Sequence, residues 1–200
     1  NRYQIDEKEQ ALYERLLNVG GNGVIGYIEI PEINCSLPIY HGTDEAVLQI
    51  AVGHIEGTSL PTGGAGTHCV VSGHRGLPSA RLFTDLDKLI EGDVFMLRVL
   101  DETLTYEIDR ILIVEPQELD ALEIEEGKDL CTLVTCTPYG INTHRLLVRG
   151  HRVENIEEVR VTADAMQIEP VLVAPLVAVP MLLALLAVLL VSTRRKKRGG

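Results

Sequence analysis

The sequence predicts a mainly β domain that closes into a barrel with short helical insertions, followed by one membrane-spanning helix. The apolar runs of residues 24–148 are short, and glycines and prolines separate them, which is typical of a barrel of many short strands. Residues 171–191 form one apolar run without a charged side chain, and five basic residues, 194–198, follow it closely. This length and these flanks predict a transmembrane helix.

The charge of the chain differs sharply between these two parts. The 200 residues carry 18 Lys and Arg against 29 Asp and Glu, and the tail holds five of the bases. Residues 1–170 therefore have 13 bases against 29 acids, a net charge of −16. Such a balance excludes a protein that binds nucleic acid along its surface, because phosphate binding requires a basic face.

The first predicted element is an amphipathic helix over residues 3–17, which ends at the glycines of residues 20–23. Two short helices are predicted later, one over residues 44–50 with Thr43 as its N-cap and one over residues 82–90. The strands are predicted from apolar runs bounded by turn residues, and they comprise residues 24–30, 35–40, 67–72, 94–100, 102–114, 130–135 and 146–148.

The apolar run predicts both a span and an orientation. Its 21 residues cover about 31 Å at about 1.5 Å each, close to the roughly 30 Å hydrocarbon core of a bilayer. Basic flanks stay in the cytoplasm, so we expect the domain to lie outside the cell. Residues 165–170 contain no Leu-Pro-x-Thr-Gly motif that would mark a cleaved wall-sorting signal. We therefore expect a retained, single-pass membrane anchor, and a segment upstream of Asn1, which is not an initiator Met.

These features predict five segments along the chain. They are an amphipathic helix and hinge over residues 1–22, the barrel over residues 23–153, a polar stalk over residues 154–170, the transmembrane helix over residues 171–193 and a basic cytoplasmic tail over residues 194–200.

Cys136 is the candidate nucleophile. It ends the apolar strand 130–135 and precedes the loop that begins at Thr137, and a strand end is rigid on one side and open on the other. Cys131 lies five positions earlier, so alternation predicts that it points to the opposite face and into the core.

A thiol nucleophile needs a proton-transferring group and a cation for the oxyanion. An antiparallel return after the loop brings Arg145 beside Cys136, and Arg149 and Arg152 compete with it. His74 ends another buried strand, between glycines that leave space around it. Residue types alone leave the histidine undecided among His74 and its five rivals, His41, His54, His68, His144 and His151.

Neither a metal nor a cofactor is expected. The acidic residues between Glu115 and Glu126 lack the ligand spacing of a calcium loop, so they predict a solvated face. The four cysteines form no Cys-x-x-Cys pair, which argues against zinc. A disulfide between two of Cys35, Cys69 and Cys131 stays open for an oxidising compartment.

Several motifs together resemble the sortases, specifically the class C, pilin-polymerising branch of Gram-positive bacteria. Residues 132–136, Thr-Leu-Val-Thr-Cys, are similar to the family's Thr-Leu-x-Thr-Cys signature, and residues 137–150 continue the class C pattern. Residues 26–31, 37–42 and 72–78 also resemble that class. The resemblance covers about residues 23–152, and a carboxy-terminal membrane helix is likewise typical of class C.

This resemblance implies a closed eight-stranded sortase-type β-barrel. It implies His74 as general acid/base, Cys136 as the nucleophile that forms an acyl-enzyme and Arg145 as the residue that stabilises substrate and oxyanion. The implied enzyme is a cysteine transpeptidase that cleaves a Leu-Pro-x-Thr-Gly-like sorting signal and joins its acyl group to a lysine of a pilin subunit. Its expected partners are pilins with carboxy-terminal sorting signals, and the cell membrane.

Two other functions stay open at this point. One is a housekeeping or hydrolytic sortase that attaches surface proteins to a cell-wall precursor. The other is a surface-binding domain without catalysis, which would have no need of His74, Cys136 and Arg145 together.

Overall fold

The computed structural model describes residues 6–77 and 80–155. The predicted transmembrane helix 171–193, the basic tail 194–200 and nearly all of the predicted stalk lie outside the described residues, and these segments stay predictions. Within the described ranges, every helix is too short or too polar to cross a membrane.

Eight strands close into a barrel, as the resemblance implies. Around the barrel they follow the order β1-β2-β3-β4-β7-β8-β6-β5. Neighbouring strands are antiparallel except for the parallel pairs β2–β3 and β4–β7. The strands are β1 (Val24–Ile30), β2 (Cys35–His41), β3 (Val52–His54), β4 (Thr67–Gly73), β5 (Val94–Val99), β6 (Glu102–Val114), β7 (Asp129–Thr137) and β8 (His144–Val153).

Apolar side chains form two layers, one on each face of the sheet. Leu133 of β7 belongs to the barrel interior, where Phe95 and Tyr106 stack with their ring centroids 5.5 Å apart. The adjacent residue of β7, Val134, belongs to a second cluster with Leu147 of β8. Because successive side chains of a strand point to opposite faces, this second cluster covers the outside of the barrel wall. Burial on both faces fixes the register of the strands between them.

The helices differ from their predictions. Helix α1 spans Glu7–Tyr13, shorter than residues 3–17, and begins with a capping box between Asp6 and Glu9. Helix α2 spans Glu45–Leu48, and Asp44 occupies its N-cap position, so the prediction of Thr43 as the cap is wrong.

The predicted helix over residues 82–90 is also wrong, since only a 3-10 turn, Leu86–Lys88, forms there. Phe83 and Leu86 are fully buried in the barrel interior. Their burial outweighs the local helical preference, because each large apolar side chain contributes roughly 1.5–3 kcal/mol on leaving water.

Tyr13 attaches α1 to the barrel. Its hydroxyl oxygen accepts a hydrogen bond from the backbone N–H of Gly42 at 3.0 Å and donates to Nδ1 of His54 at 2.8 Å. The ring of Tyr13 also makes an edge-on contact with His41, with centroids 4.7 Å apart. This burial raises the pKa of the Tyr13 hydroxyl, so it stays protonated and able to donate.

We therefore expect Tyr13→Phe to destabilise the protein by about 1–3 kcal/mol, because the buried N–H of Gly42 and Nδ1 of His54 both lose their hydrogen-bond partner. The measurement is chemical unfolding of the full chain followed by circular dichroism. Tyr27→Phe is the matched control, since Tyr27 is 51% exposed. Equal stability of the two variants would contradict the anchoring role of the Tyr13 hydroxyl.

Candidate active site

Three neighbouring strands bring the candidate residues to one end of the barrel. Cys136 of β7 lies directly opposite Arg145 of β8 in their antiparallel register. On the other side of β7, the parallel register with β4 aligns Ser72 with Val134. His74 lies two residues beyond Ser72, directly after the end of β4, and Cys136 lies two residues beyond Val134 on β7. The hydroxyl of Thr135 donates to the carbonyl of Gly73 at 2.8 Å, which joins the two strands just before these positions.

Side-chain alternation places the three residues on the outer face of the barrel wall. Cys131 and Leu133 lie in the interior, whereas Val134 lies in the outer cluster, so Cys136 points outward. Arg145 is two residues from Leu147, which belongs to the outer cluster, so Arg145 points to the same face. On β4, Val71 is interior and Val70 is in the outer cluster, which puts His74 on the outer face when the alternation is continued.

Cys136 differs from the other three cysteines in its surroundings. All four are free thiols, so the structure contains no disulfide among Cys35, Cys69 and Cys131. Cys69 and Cys131 are register partners inside the barrel, and burial raises the pKa of Cys131 well above its ordinary value. Burial also raises the pKa of Cys35 to about 11. Cys136 is half-buried at the end of its strand, where a reagent can reach it.

The imidazole of His74 is 30% exposed and faces a carboxylate. Its Nε2 lies 3.6 Å from Oε2 of Glu45, which is in the first turn of α2. A hydrogen bond from Gln49 and the charge of His74 lower the pKa of Glu45, so this carboxylate is ionised at neutral pH. Sequence reasoning missed Glu45, because a single glutamate in a polar turn has no pattern that marks a contact with His74.

The rival histidines have other contacts. His41 bonds the carbonyl of Leu16, His54 bonds Tyr13 and the carbonyl of Ser59, and His68 bonds Thr132 and the carbonyl of Glu123. His144 precedes Arg145, so alternation turns it to the opposite face. His151 is six residues beyond Arg145 on β8, about 20 Å along the strand. Of the six histidines, only His74 directly follows β4, the strand that pairs with β7 on the side away from Arg145.

The rival arginines are held by other groups. Arg149 forms a two-pronged ion pair with Asp109, at 2.9 and 2.8 Å, and a further ion pair with Glu125 at 2.6 Å. Asp109 raises the pKa of Arg149 through this hydrogen bonding and charge. Arg152 lies over the ring of Tyr106, 5.8 Å from its centroid.

Arg145 forms no ion pair within the described ranges. Its Nη1 donates to the carbonyls of His144 and Asn142, at 3.1 and 3.3 Å. Its remaining donors are therefore available to an anionic or carbonyl group beside Cys136.

In the described part of the chain, no group of three or more metal-ligating side chains could hold a metal ion. The site therefore offers a thiol, an imidazole, a guanidinium and a carboxylate. A thiol that attacks a carbonyl, an imidazole that moves the proton and a cation that stabilises the oxyanion are the components of acyl transfer.

Comparisons with known proteins agree with this chemistry. The sortase-domain family model matches residues 28–153 of the chain. The chain is 33% identical to sortase D of Bacillus subtilis (strain 168) over 131 residues, which are 64% of this chain and 63% of that protein. It spans between 47% and 66% of the lengths of the curated relatives it matches.

Solved structures of sortases reach higher identity. Sortase C1 of Streptococcus agalactiae superposes with a TM-score of 0.75 at 57% identity, covering 76% of this chain and 79% of that chain. A pilus-related sortase C of Group B Streptococcus superposes with a TM-score of 0.65 at 47% identity, covering 66% of this chain and 69% of that one.

We predict that iodoacetamide labels one cysteine of the folded protein at neutral pH, and that this cysteine is Cys136. The other three thiols are buried or, for Cys35, have a pKa of about 11. Mass spectrometry of the intact chain measures the number of labels, and peptide mapping their position. A label that persists in Cys136→Ala would contradict the assignment, and unfolding in urea should expose all four thiols.

We also expect Arg149 and Arg145 to differ in their effect on stability. Arg149→Ala leaves Asp109 without its cation and Glu125 paired only with Lys128, and it should cost about 2–4 kcal/mol. Arg145→Ala breaks no ion pair within the described ranges and should change the free energy of unfolding by less than about 0.5 kcal/mol. Chemical unfolding of both variants measures the difference, and similar losses for both would show that Arg145 has a structural role.

Proposed function

The chain belongs to the sortase family, whose members are cysteine transpeptidases, and we propose that it is a pilin-polymerising transpeptidase. Its substrate would be a pilin with a Leu-Pro-x-Thr-Gly-like sorting signal, cleaved between Thr and Gly. Its acceptor would be a lysine amine of the next pilin subunit. The observation that carries the proposal is that Cys136 lies opposite Arg145 across β7 and β8, while His74 directly follows β4, the strand paired with β7 on its other side.

In the first half-reaction, the thiolate of Cys136 attacks the carbonyl carbon of the Thr–Gly bond. The carbonyl oxygen becomes an oxyanion, and the guanidinium of Arg145 stabilises its charge by donating hydrogen bonds. The tetrahedral intermediate collapses, the C–N bond breaks, and the imidazolium of His74 gives its proton to the departing amine. The product is a thioester between Cys136 and the threonine carbonyl.

In the second half-reaction, a lysine amine attacks the thioester carbon. Neutral His74 removes a proton from the amine, the C–S bond breaks, and an isopeptide bond forms. The thioester retains the acyl activation of the cleaved peptide bond, so the transfer needs no ATP. This property suits an enzyme anchored on the outer side of the cell membrane, where we place the domain on the basis of the predicted helix 171–193 and tail 194–200.

Electrostatics support a cationic acceptor. The domain is acidic, and the carboxylate of Glu45 is 72% exposed while it faces the imidazole of His74. A lysine side chain arrives as an ammonium ion, since its ordinary pKa is about 10.4. The carboxylate of Glu45 beside His74 attracts this ion. The ammonium ion gives one proton to solvent before the neutral amine attacks, and His74 takes the second.

The alternative function is a housekeeping sortase that uses a cell-wall precursor as acceptor. The curated relatives named sortase A or D match at 28–33% identity. Solved structures named sortase C reach 47–57% identity, and one named sortase A reaches 45%, so the names favour the pilin acceptor by a small margin. The two functions differ in the amine that resolves the thioester.

The deciding experiment incubates the protein with a sorting-signal peptide and two amines, a pilin that carries the acceptor lysine and a cell-wall-type peptide amine. We expect a ladder of pilin multimers on denaturing gels and a transient acyl-enzyme in intact-mass spectra. Cys136→Ala should show neither, at any detectable rate. Exclusive use of the wall-type amine would support the housekeeping function, and full turnover by Cys136→Ala would refute the thioester mechanism.

A further inference from the structure

The segments that carry His74 and Cys136 continue beyond the point where their strands pair. The described register of β4 with β7 ends at Ser72 and Val134, and β4 itself ends at Gly73. His74 therefore begins a loop, and the loop after β7 begins at residue 138. Backbone hydrogen bonding between the two strands does not extend to the imidazole. Contacts between the two loops must set its distance from the thiol.

Tyr139 makes the first of these contacts. A Cβ atom added to Gly76 would lie 2.7 Å from Cε2 and 2.9 Å from Cζ of the Tyr139 ring. The ring therefore rests directly on the backbone of the loop after β4, at a distance that no side chain at position 76 would allow. Gly76 also has a φ of +77°, a conformation that favours glycine.

Arg75 makes the second contact. Its guanidinium carbon lies 5.7 Å from the centroid of the Tyr139 ring, within the range of a cation–π interaction. Its Nη1 lies 3.5 Å from the hydroxyl of Thr137, and its Nη2 is paired with Asp87. The side chain is 9% exposed, so it is held between the loop after β4, the end of β7 and the 3-10 turn that carries Asp87.

We propose that Arg75 and Tyr139 are positioning residues that set the distance between the imidazole of His74 and the thiol of Cys136. Arg75 directly follows His74, and Thr137 directly follows Cys136, so the contact between them joins the loop after β4 to the end of β7, one residue beyond each reacting group. Tyr139 stays 60% exposed, because only part of the ring is covered. The inference rests on the proposed roles of His74 and Cys136.

The test compares Tyr139→Ala with Tyr139→Phe, which keeps the ring, and with Ile141→Ala as the matched control. Ile141 lies in the same loop and is 67% exposed. A misplacement of about 1 Å can cost on the order of a hundredfold in rate. We expect Tyr139→Ala to lower kcat for sorting-signal cleavage by at least about tenfold, while its KM stays within about threefold of the wild-type value. Tyr139→Phe should retain most of the wild-type kcat, and Ile141→Ala should leave kcat unchanged. A kcat of Tyr139→Ala equal to that of the wild type, or a loss confined to KM, would overturn the proposal.

A second measurement separates this inference from the proposed function, because it needs no substrate. The rate of Cys136 alkylation by iodoacetamide is measured in the wild type, His74→Ala, Tyr139→Ala and the double variant. We expect His74→Ala to slow alkylation several-fold in the wild-type background and less than about twofold in the Tyr139→Ala background. Equal factors in both backgrounds would overturn the positioning role. If the protein does not cleave sorting-signal peptides but the alkylation rates still show coupling between His74 and Tyr139, the proposed substrate is refuted and the positioning role is supported.

Discussion

Strand β7 is hydrogen-bonded on both sides, to β4 in parallel and to β8 in antiparallel register, and the site depends on this double pairing. The pairing with β8 sets Cys136 opposite Arg145, and the pairing with β4 ends two residues before Cys136 and His74. Because side chains alternate between faces, a slip of one residue would turn the thiol of Cys136 into the barrel interior. Leu133 on the inner face and Val134 on the outer face are both buried, and their burial opposes such a slip. Apolar packing two and three residues away thus holds the thiol of Cys136, the proposed nucleophile, in place.

The same packing assigns different roles to residues of one type. Arg149 and Arg145 share the outer face of β8, yet the carboxylates of Asp109 and Glu125 occupy Arg149, whereas Arg145 bonds only nearby carbonyls. Cys131 and Cys136 share β7, yet one is fully buried and the other is half-buried. A buried cation satisfied by two carboxylates stabilises the fold, while an unpaired one at a strand end can bind a developing negative charge.

The groups to which we assign the reaction lie at or just beyond the ends of strands, which is consistent with what acyl transfer requires. A thioester intermediate must be open to a second, bulky nucleophile, so the site cannot be enclosed within the barrel. Ordered strands hold one side of Cys136, and the contact of Arg75 and Tyr139 restrains the loops on the other side. This arrangement combines access for a protein acceptor with a limited range of distances between thiol and imidazole.

The sequence by itself determined the features that rest on local patterns. Residues 24–30 and 102–114 form the predicted strands, since apolar runs bounded by turn residues specify them. The antiparallel return that brings Arg145 to Cys136 also followed from a short loop between two apolar runs.

Tertiary structure decided the rest. Strand β3, Val52–His54, was missed because three residues carry too little pattern, and Phe83 and Leu86 fill the barrel instead of continuing a helix. The choice among six histidines rested on the family resemblance in the sequence and on the register in the structure, because His74 and Cys136 are 62 positions apart. Side-chain periodicity describes a strand's faces but not its neighbours, and only the parallel pairing of β4 with β7 brings these two residues together.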